Sequence, residues 1–117
     1  MTKLIGVPEV LAHLRDVVAK KGADYVYRRE TCRYAVSGAP SCIVGHVYAR
    51  LGLLDKDTQE SIVKAKGLHV GKIASLARQV LQTAQEVQDG RYPPFVPRGT
   101  WGEALAAAEA ESTRASA

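Results

Sequence analysis

Apolar residues recur at a helical period in four stretches of the chain. Val10, Leu11, Leu14, Val17 and Val18 make the first stripe. It predicts a helix that starts at Pro8, carries Lys20 and Lys21 in its last turn and stops at Gly22. Ile43, Val44, Val47, Tyr48 and Leu51 make the second, with Pro40 expected in its first turn and Gly52 just past its end. Ile73, Leu76, Ala77, Val80, Leu81, Ala84 and Val87 make the third and longest, from Val70 or Gly71 to Gln88, ended by Asp89-Gly90. Trp101, Leu105 and Ala108 make the last, opened by Thr100 with Glu103 at the capping-box spacing. Asp57 and Glu60 share that spacing. They predict a further short helix from Thr58 to about Lys66 that buries Ile62 and Val63 and stops at Gly67.

Two stretches break the helical period. Between Asp24 and Val36 the residues Tyr25, Val26, Tyr27, Cys32, Tyr34 and Val36 favour strand, with Arg28-Arg29-Glu30-Thr31 as the turn. A lone hairpin is marginal in water, so this one is expected to lie on the helices; an extended loop is the alternative. Arg91 to Arg98 contains Pro93, Pro94 and Pro97 and must be non-helical, with Tyr92 and Phe95 available to pin it to the body. The expected fold is mainly α: about five helices in one compact domain over residues 1–109, a small two-stranded hairpin, and a frayed tail at 110–117.

The run from Gly38 to Gly52 is the centre of this arrangement. Gly45 sits inside its helical pattern, where glycine costs about 1 kcal/mol relative to alanine. Close approach of another backbone at that position is the compensation to look for.

Composition adds bounds. The chain has 117 residues, 46% hydrophobic and 24% charged, which is ordinary for one globular domain with one core. No apolar run reaches the length that spans a bilayer, and Met1 to Gly6 carries no signal-peptide core, so a cytoplasmic location is expected. Two cysteines are too few for a disulfide framework. The net charge of +4 is uneven: residues 1–78 carry 13 Lys/Arg against 7 Asp/Glu, and residues 79–117 carry 3 against 5. That excess is either a solvated basic surface or a patch for an acidic partner, nucleic acid or protein.

Four groups of residues are candidates for chemistry. Cys32, Cys42, His46 and His69 form a conceivable zinc set, since Cys42 and His46 lie four apart on one helical face. The chain lacks a C-x-x-C pair, and cysteine is often a plain buried hydrophobe, so the expectation is no metal and no cofactor. Cys42 with His46 as its base is the catalytic alternative, but a buried pair on one helix offers no cleft or oxyanion site, and no enzyme is expected. His13 falls outside its apolar stripe and reads as a surface histidine. A helix-turn-helix is the third group, with Gln59, Ser61, Lys64 and Lys66 toward the groove and Arg50 and Lys56 toward phosphates. The same pattern also suits antiparallel helices. The fourth group is aromatic and basic. Tyr25, Tyr27, Arg28, Arg29 and Arg33 suit a binding surface, while at least half of Tyr25, Tyr27, Tyr34 and Tyr48 are expected to be core.

Tyr25-x-Tyr27, Cys32-x-Tyr34 and Gly38-x-Pro40-Ser41-Cys42-x-Val44-Gly45-His46 together resemble a group of small proteins of actinobacterial phages, with a weaker match at Gln88-Asp89-Gly90 and Thr100-Trp101-Gly102-Glu103-Ala104. The Arg91–Gly99 insertion between the last two motifs departs from that pattern. The resemblance covers under half of the chain. It implies a phage source and a fold, and no known activity. Small phage proteins often act on host factors, which favours a non-enzymatic protein-binding module, acting on a host or phage protein in the cytoplasm of an infected bacterium. A helix-turn-helix-like DNA-binding protein is the alternative.

Overall fold

The computed structural model describes residues 3–27, 33–61, 63–91 and 98–116, without the side chains of Glu60, Ala115 and Ser116. The first helix, α1 (Val7–Lys21), follows its stripe: Val10, Leu11, Leu14, Val17 and Val18 are all buried. Pro8 lies in its first turn, Lys20 and Lys21 in its last, and Gly22 closes it at a φ of 100°. Four more α-helices follow among the described residues: α2 (Ile43–Arg50), α3 (Lys56–Glu60), α4 (Ser75–Asp89) and α5 (Trp101–Ser116). With a two-stranded antiparallel hairpin, β1 (Ala35–Val36) and β2 (Ala39–Pro40), they make a mainly α fold. The Cα radius of gyration, 13.0 Å, fits a compact globule of this length.

The hairpin forms later than the tyrosine pattern predicts: Val36, expected in its second strand, ends the first. Ser37 and Gly38 lie between its paired residues with φ of 53° and 81°, the two positive values that a two-residue turn of primed type needs. The segment expected to be the first strand has another task. The carbonyls of Ala23 and Tyr25 accept the Gly102 and Trp101 amides at 2.9 and 2.8 Å, which satisfies two orphan donors at the start of α5. The predicted Arg28–Thr31 turn lies outside the described residues, as do Ile62 and the Tyr92–Pro97 segment.

Pro40 is not in a helical turn. It closes β2, where its missing N–H costs nothing, and the helix begins three residues on with Cys42 as its cap. The Asp57–Glu60 box does not form either. Asp55 is the cap, and its carboxylate accepts the Thr58 amide at 2.8 Å. The chain leaves α3 at Ser61 in an extended conformation, so the helix expected from Thr58 to Lys66 is replaced by five residues and a 3-10 turn at Ala65–Gly67. Val63 is 48% exposed rather than buried.

Helix α4 starts at Ser75, later than the apolar period suggests. His69 has a φ of 56°, and Lys72 and Ala74 bond the backbone of Ile5 at 2.9 Å on each side of Ile73. This isolated bridge between Ile5 and Ile73 takes an amide and a carbonyl that another helical turn would use. Gly90 ends α4 in the left-handed conformation, as Asp89-Gly90 predicts.

The Thr100–Glu103 capping box forms in both directions, at 2.8 and 3.1 Å. Helix α5 reaches Ser116, inside the stretch expected to fray. Glu111 is buried and paired with Arg114, and Arg15 of α1 reaches Glu109 at 2.8 Å. The core lies between α1, α2, α4 and α5, with Trp101, Tyr48, Leu14, Ile43, Ile73 and Leu81 fully buried.

Candidate functional site

Two helices carry the same spacing toward each other. On α1, Val17, Lys20 and Lys21 are at i, i+3 and i+4; on α2, His46, Ala49 and Arg50 repeat it. Residues so spaced share a face. Together with Pro40 of β2 they line a cleft of about 470 Å³. Val17 is buried beneath it, and the lysines stand exposed at its rim.

The four basic groups are not equivalent. Arg50 is held: its Nη2 reaches Asp16 Oδ2 at 2.8 Å and its Nε donates to His13 Nδ1 at 3.0 Å. Lys21 sits 5.4 Å from the centroid of the Tyr25 ring, a cation–π distance. Neither Lys20 nor Lys21 forms an ion pair among the described residues. His46 presents its ring edge-on to Trp101, with centroids 5.5 Å apart and planes at 70°. Burial pushes the His46 pKa below its ordinary value, and the charge of Lys21 pushes it the same way. The cleft therefore offers two exposed ammonium groups, one of them over the Tyr25 ring, and an imidazole whose charged form is disfavoured by burial and by Lys21, above an apolar floor. Such a site can hold an anion.

The zinc set does not assemble among the described residues. Cys42 is fully buried, and its Sγ accepts the Gly45 amide at 3.4 Å as the cap of α2. His46 lies only partly buried in the cleft, against the expectation of a fully enclosed ring bonded to a carbonyl or tyrosine. His69 belongs elsewhere: its Nε2 lies 3.0 Å from Thr58 Oγ1, and its ring is edge-on to Tyr48 at 4.9 Å. Cys32 is outside the described residues. Among those described, no group of three His, Cys, Asp or Glu is placed to hold a metal.

Asp55, Thr58 and His69 do form a cluster. The hydrogen bonds from Thr58 hold the Asp55 carboxyl below its usual range. Burial lowers the His69 pKa, and the Asp55 charge opposes that shift. Thr58 is 3% exposed, so its hydroxyl has no open face for a substrate. The cluster fixes the left-handed turn at His69 and the start of α3.

The helix-turn-helix set is dispersed. Lys56 and Gln59 lie on α3, which is too short to fill a major groove; Ser61, Lys64 and Lys66 lie beyond its end. Gln59 is spent on the Leu54 carbonyl at 3.0 Å, and Ser61 on the Val63 amide at 3.0 Å. The Lys66 carbonyl accepts from Arg78.

The tyrosine surface is largely interior. Tyr27, Tyr34 and Tyr48 are buried, the first bonded to Ser41 Oγ at 2.8 Å and the second to the Val63 carbonyl at 2.8 Å. Tyr25 is half-buried and packs edge-on against Trp101 at 4.6 Å. Arg33 is exposed; Arg28 and Arg29 lie outside the described residues. Lys20 and Lys21 were not among the sequence candidates, because in the sequence they read as a helix terminus. The signal that marks them is the matched spacing on α1 and α2.

No protein-family model, curated protein or solved structure matches the chain. Among the described residues no helix is long and apolar enough to cross a membrane.

Proposed function

We propose that the chain is a non-enzymatic binding module that docks an acidic segment of a partner protein at the α1–α2 cleft. The observation that carries this reading is the pair Lys20 and Lys21, two exposed cations without an ion pair among the described residues, beside an apolar floor. Charge of one sign over a concave surface raises the local concentration of the opposite sign and speeds encounter. The basic excess of residues 1–78 extends the same field. With the resemblance to actinobacterial phage proteins, the partner is a host or phage protein met in the cytoplasm of an infected bacterium.

The test is comparative capture from an actinobacterial lysate with the native chain and the double variant Lys20→Glu/Lys21→Glu. The expected result is a captured protein that is lost on charge reversal and released by salt. Capture that survives reversal removes the cleft from the reading. Duplex DNA titrated at two salt concentrations is the second arm, since phosphate contacts give a steep salt dependence. Submicromolar binding that weakens steeply with salt replaces this reading with a DNA-binding one.

A further inference from the structure

We infer that the α1–α2 cleft seats a carboxylate side chain of an acidic peptide between Lys21 and His46, with its aliphatic stem on Val17, Pro40 and Ala49. This rests on the cleft being the docking site for an acidic protein segment, and it specifies the group bound and how it is held.

Charge complementarity points first to an anion. The acidic side chain beside the cleft, Asp16, is taken by Arg50 at 2.8 Å. Lys21 and His46 both line the cleft, and the charge of Lys21 disfavours a proton on the imidazole. A single negative charge placed between them is attracted by the ammonium and stabilises a proton on the imidazole.

The choice of carboxylate over phosphoryl group follows from what the cleft lacks. Phosphoryl sites draw on free guanidinium forks and on amides at helix N-termini. Arg50 already spends its Nε on His13 and one Nη on Asp16. Both helices meet the cleft near their C-terminal turns: Lys20 and Lys21 end α1, and Arg50 ends α2. The partial negative charge at a helix C-terminus opposes a dianion more than a monoanion. The floor of Val17, Pro40 and Ala49 suits methylene groups, which glutamate brings with its charge.

Seating is coupled to a proton. Among the described residues, the charged groups that line the cleft with His46 are Lys20 and Lys21 from α1 and Arg50 from α2, the last bonded to Asp16 and His13 of α1. The neighbours from β2 and α5 are Pro40 and Trp101, both uncharged. A bound carboxylate adds the missing opposite charge, so docking takes up a proton at His46 and tightens as pH falls through the titration of that imidazole. Trp101 is the single tryptophan of the chain and lies against that ring, so its fluorescence reports the event.

The experiment uses a short blocked oligoglutamate peptide, a length-matched oligoglutamine and inorganic pyrophosphate as probes of the full chain. The readouts are the imidazole titration of His46 by NMR and Trp101 fluorescence. The expected result is a rise of about half a pH unit or more at His46 with oligoglutamate, quenching of Trp101, and no change with oligoglutamine. Lys21→Ala should weaken the peptide about tenfold, while Lys72→Ala, a surface lysine away from the cleft, leaves it unchanged. His46 unmoved up to millimolar peptide overturns the inference. So does an equal response to pyrophosphate, which makes the cleft a general anion site, or an equal loss in Lys72→Ala. If oligoglutamate perturbs another surface and leaves His46 still, this subsite fails while docking of an acidic partner stands. If partner capture survives reversal of Lys20 and Lys21, the docking reading itself fails.

Discussion

The backbone carbonyl of Tyr34 lies where a side chain at Gly45 would begin. Gly45 is buried in the first turn of α2, and its bare Cα lets the Arg33–Tyr34 segment before β1 run directly against the helix. The same segment accepts the Ser41 amide on Tyr34 at 3.1 Å and the Cys42 amide on Arg33 at 3.0 Å. One stretch of backbone thus sets both where α2 begins and which face it turns inward. That orientation is what presents His46, Ala49 and Arg50 to α1.

Replacing Gly45 with alanine should therefore destabilise the protein by about 3 kcal/mol or more, because the atoms displaced are backbone and have no rotamer to escape into. Helix propensity alone argues for a gain of about 1 kcal/mol. The sign of the shift in the urea midpoint decides between the two. A stabilised Gly45→Ala variant refutes the close packing of the Tyr34 backbone on α2.

Residues whose local pattern agrees with their tertiary role were legible in the sequence. The stripe of α1, the Thr100–Glu103 box, the Gly90 stop and the need for a close approach at Gly45 all follow from spacing and residue type. What was not legible depended on distant backbone. Nothing near Tyr25 says that its carbonyl is needed by Trp101, and nothing near Ile73 says that Ile5 will pair there. The hairpin moved because Ser37-Gly38 accepts two positive φ values, a demand that tyrosine alternation does not report. The cleft was hidden for a related reason: Lys20 and Lys21 satisfy the dipole of their own helix, and only the packing of α2 gives them a second role.

Gln88 is a cap supplied from another helix. Its Oε1 accepts the Ile43 amide at 2.8 Å, an orphan donor at the start of α2, and both residues are fully buried. Gln88→Leu keeps the volume roughly and removes the acceptor. The expected loss is about 1–3 kcal/mol, the cost of a buried amide left unpaired. Faster hydrogen exchange at Ile43 should accompany it, and unchanged exchange there contradicts the assigned bond.

Stability should fall on mild acidification. Burial lowers the pKa of both His46 and His69 in the folded chain, from an ordinary value of about 6.5. The unfolded chain takes up those protons first, so their contribution is complete above about pH 6.5 and drains as pH falls toward the depressed folded values. Asp55, depressed by its Thr58 hydrogen bonds, adds a loss in the same direction at lower pH. Asp89 acts the other way: burial raises its folded pKa, so the folded chain binds that proton first and gains stability as pH falls through it. The histidines govern the window below about pH 6.5, and the urea midpoint should decline as pH falls through it. His46→Gln should flatten part of that slope. A flat profile in the native chain contradicts the burial of both rings.

Cys42 should behave as a structural cap. Its sulfur receives the Gly45 amide at 3.4 Å and it is completely enclosed, so its thiol has neither a free lone pair aimed at solvent nor access for a reagent. Cys42→Ala removes the cap and leaves a small void, for an expected loss of about 1–2 kcal/mol without loss of the fold. In a Cys32→Ser background, a thiol reagent should modify Cys42 only at the rate of unfolding. A zinc site behaves differently, because metal binding there is folding energy and a chelator denatures the domain. Thermal melting with and without EDTA, beside elemental analysis, makes the comparison. The melting temperature should not move on chelation. A large drop with stoichiometric zinc released would overturn the capping role and return Cys32, Cys42, His46 and His69 to test as ligands.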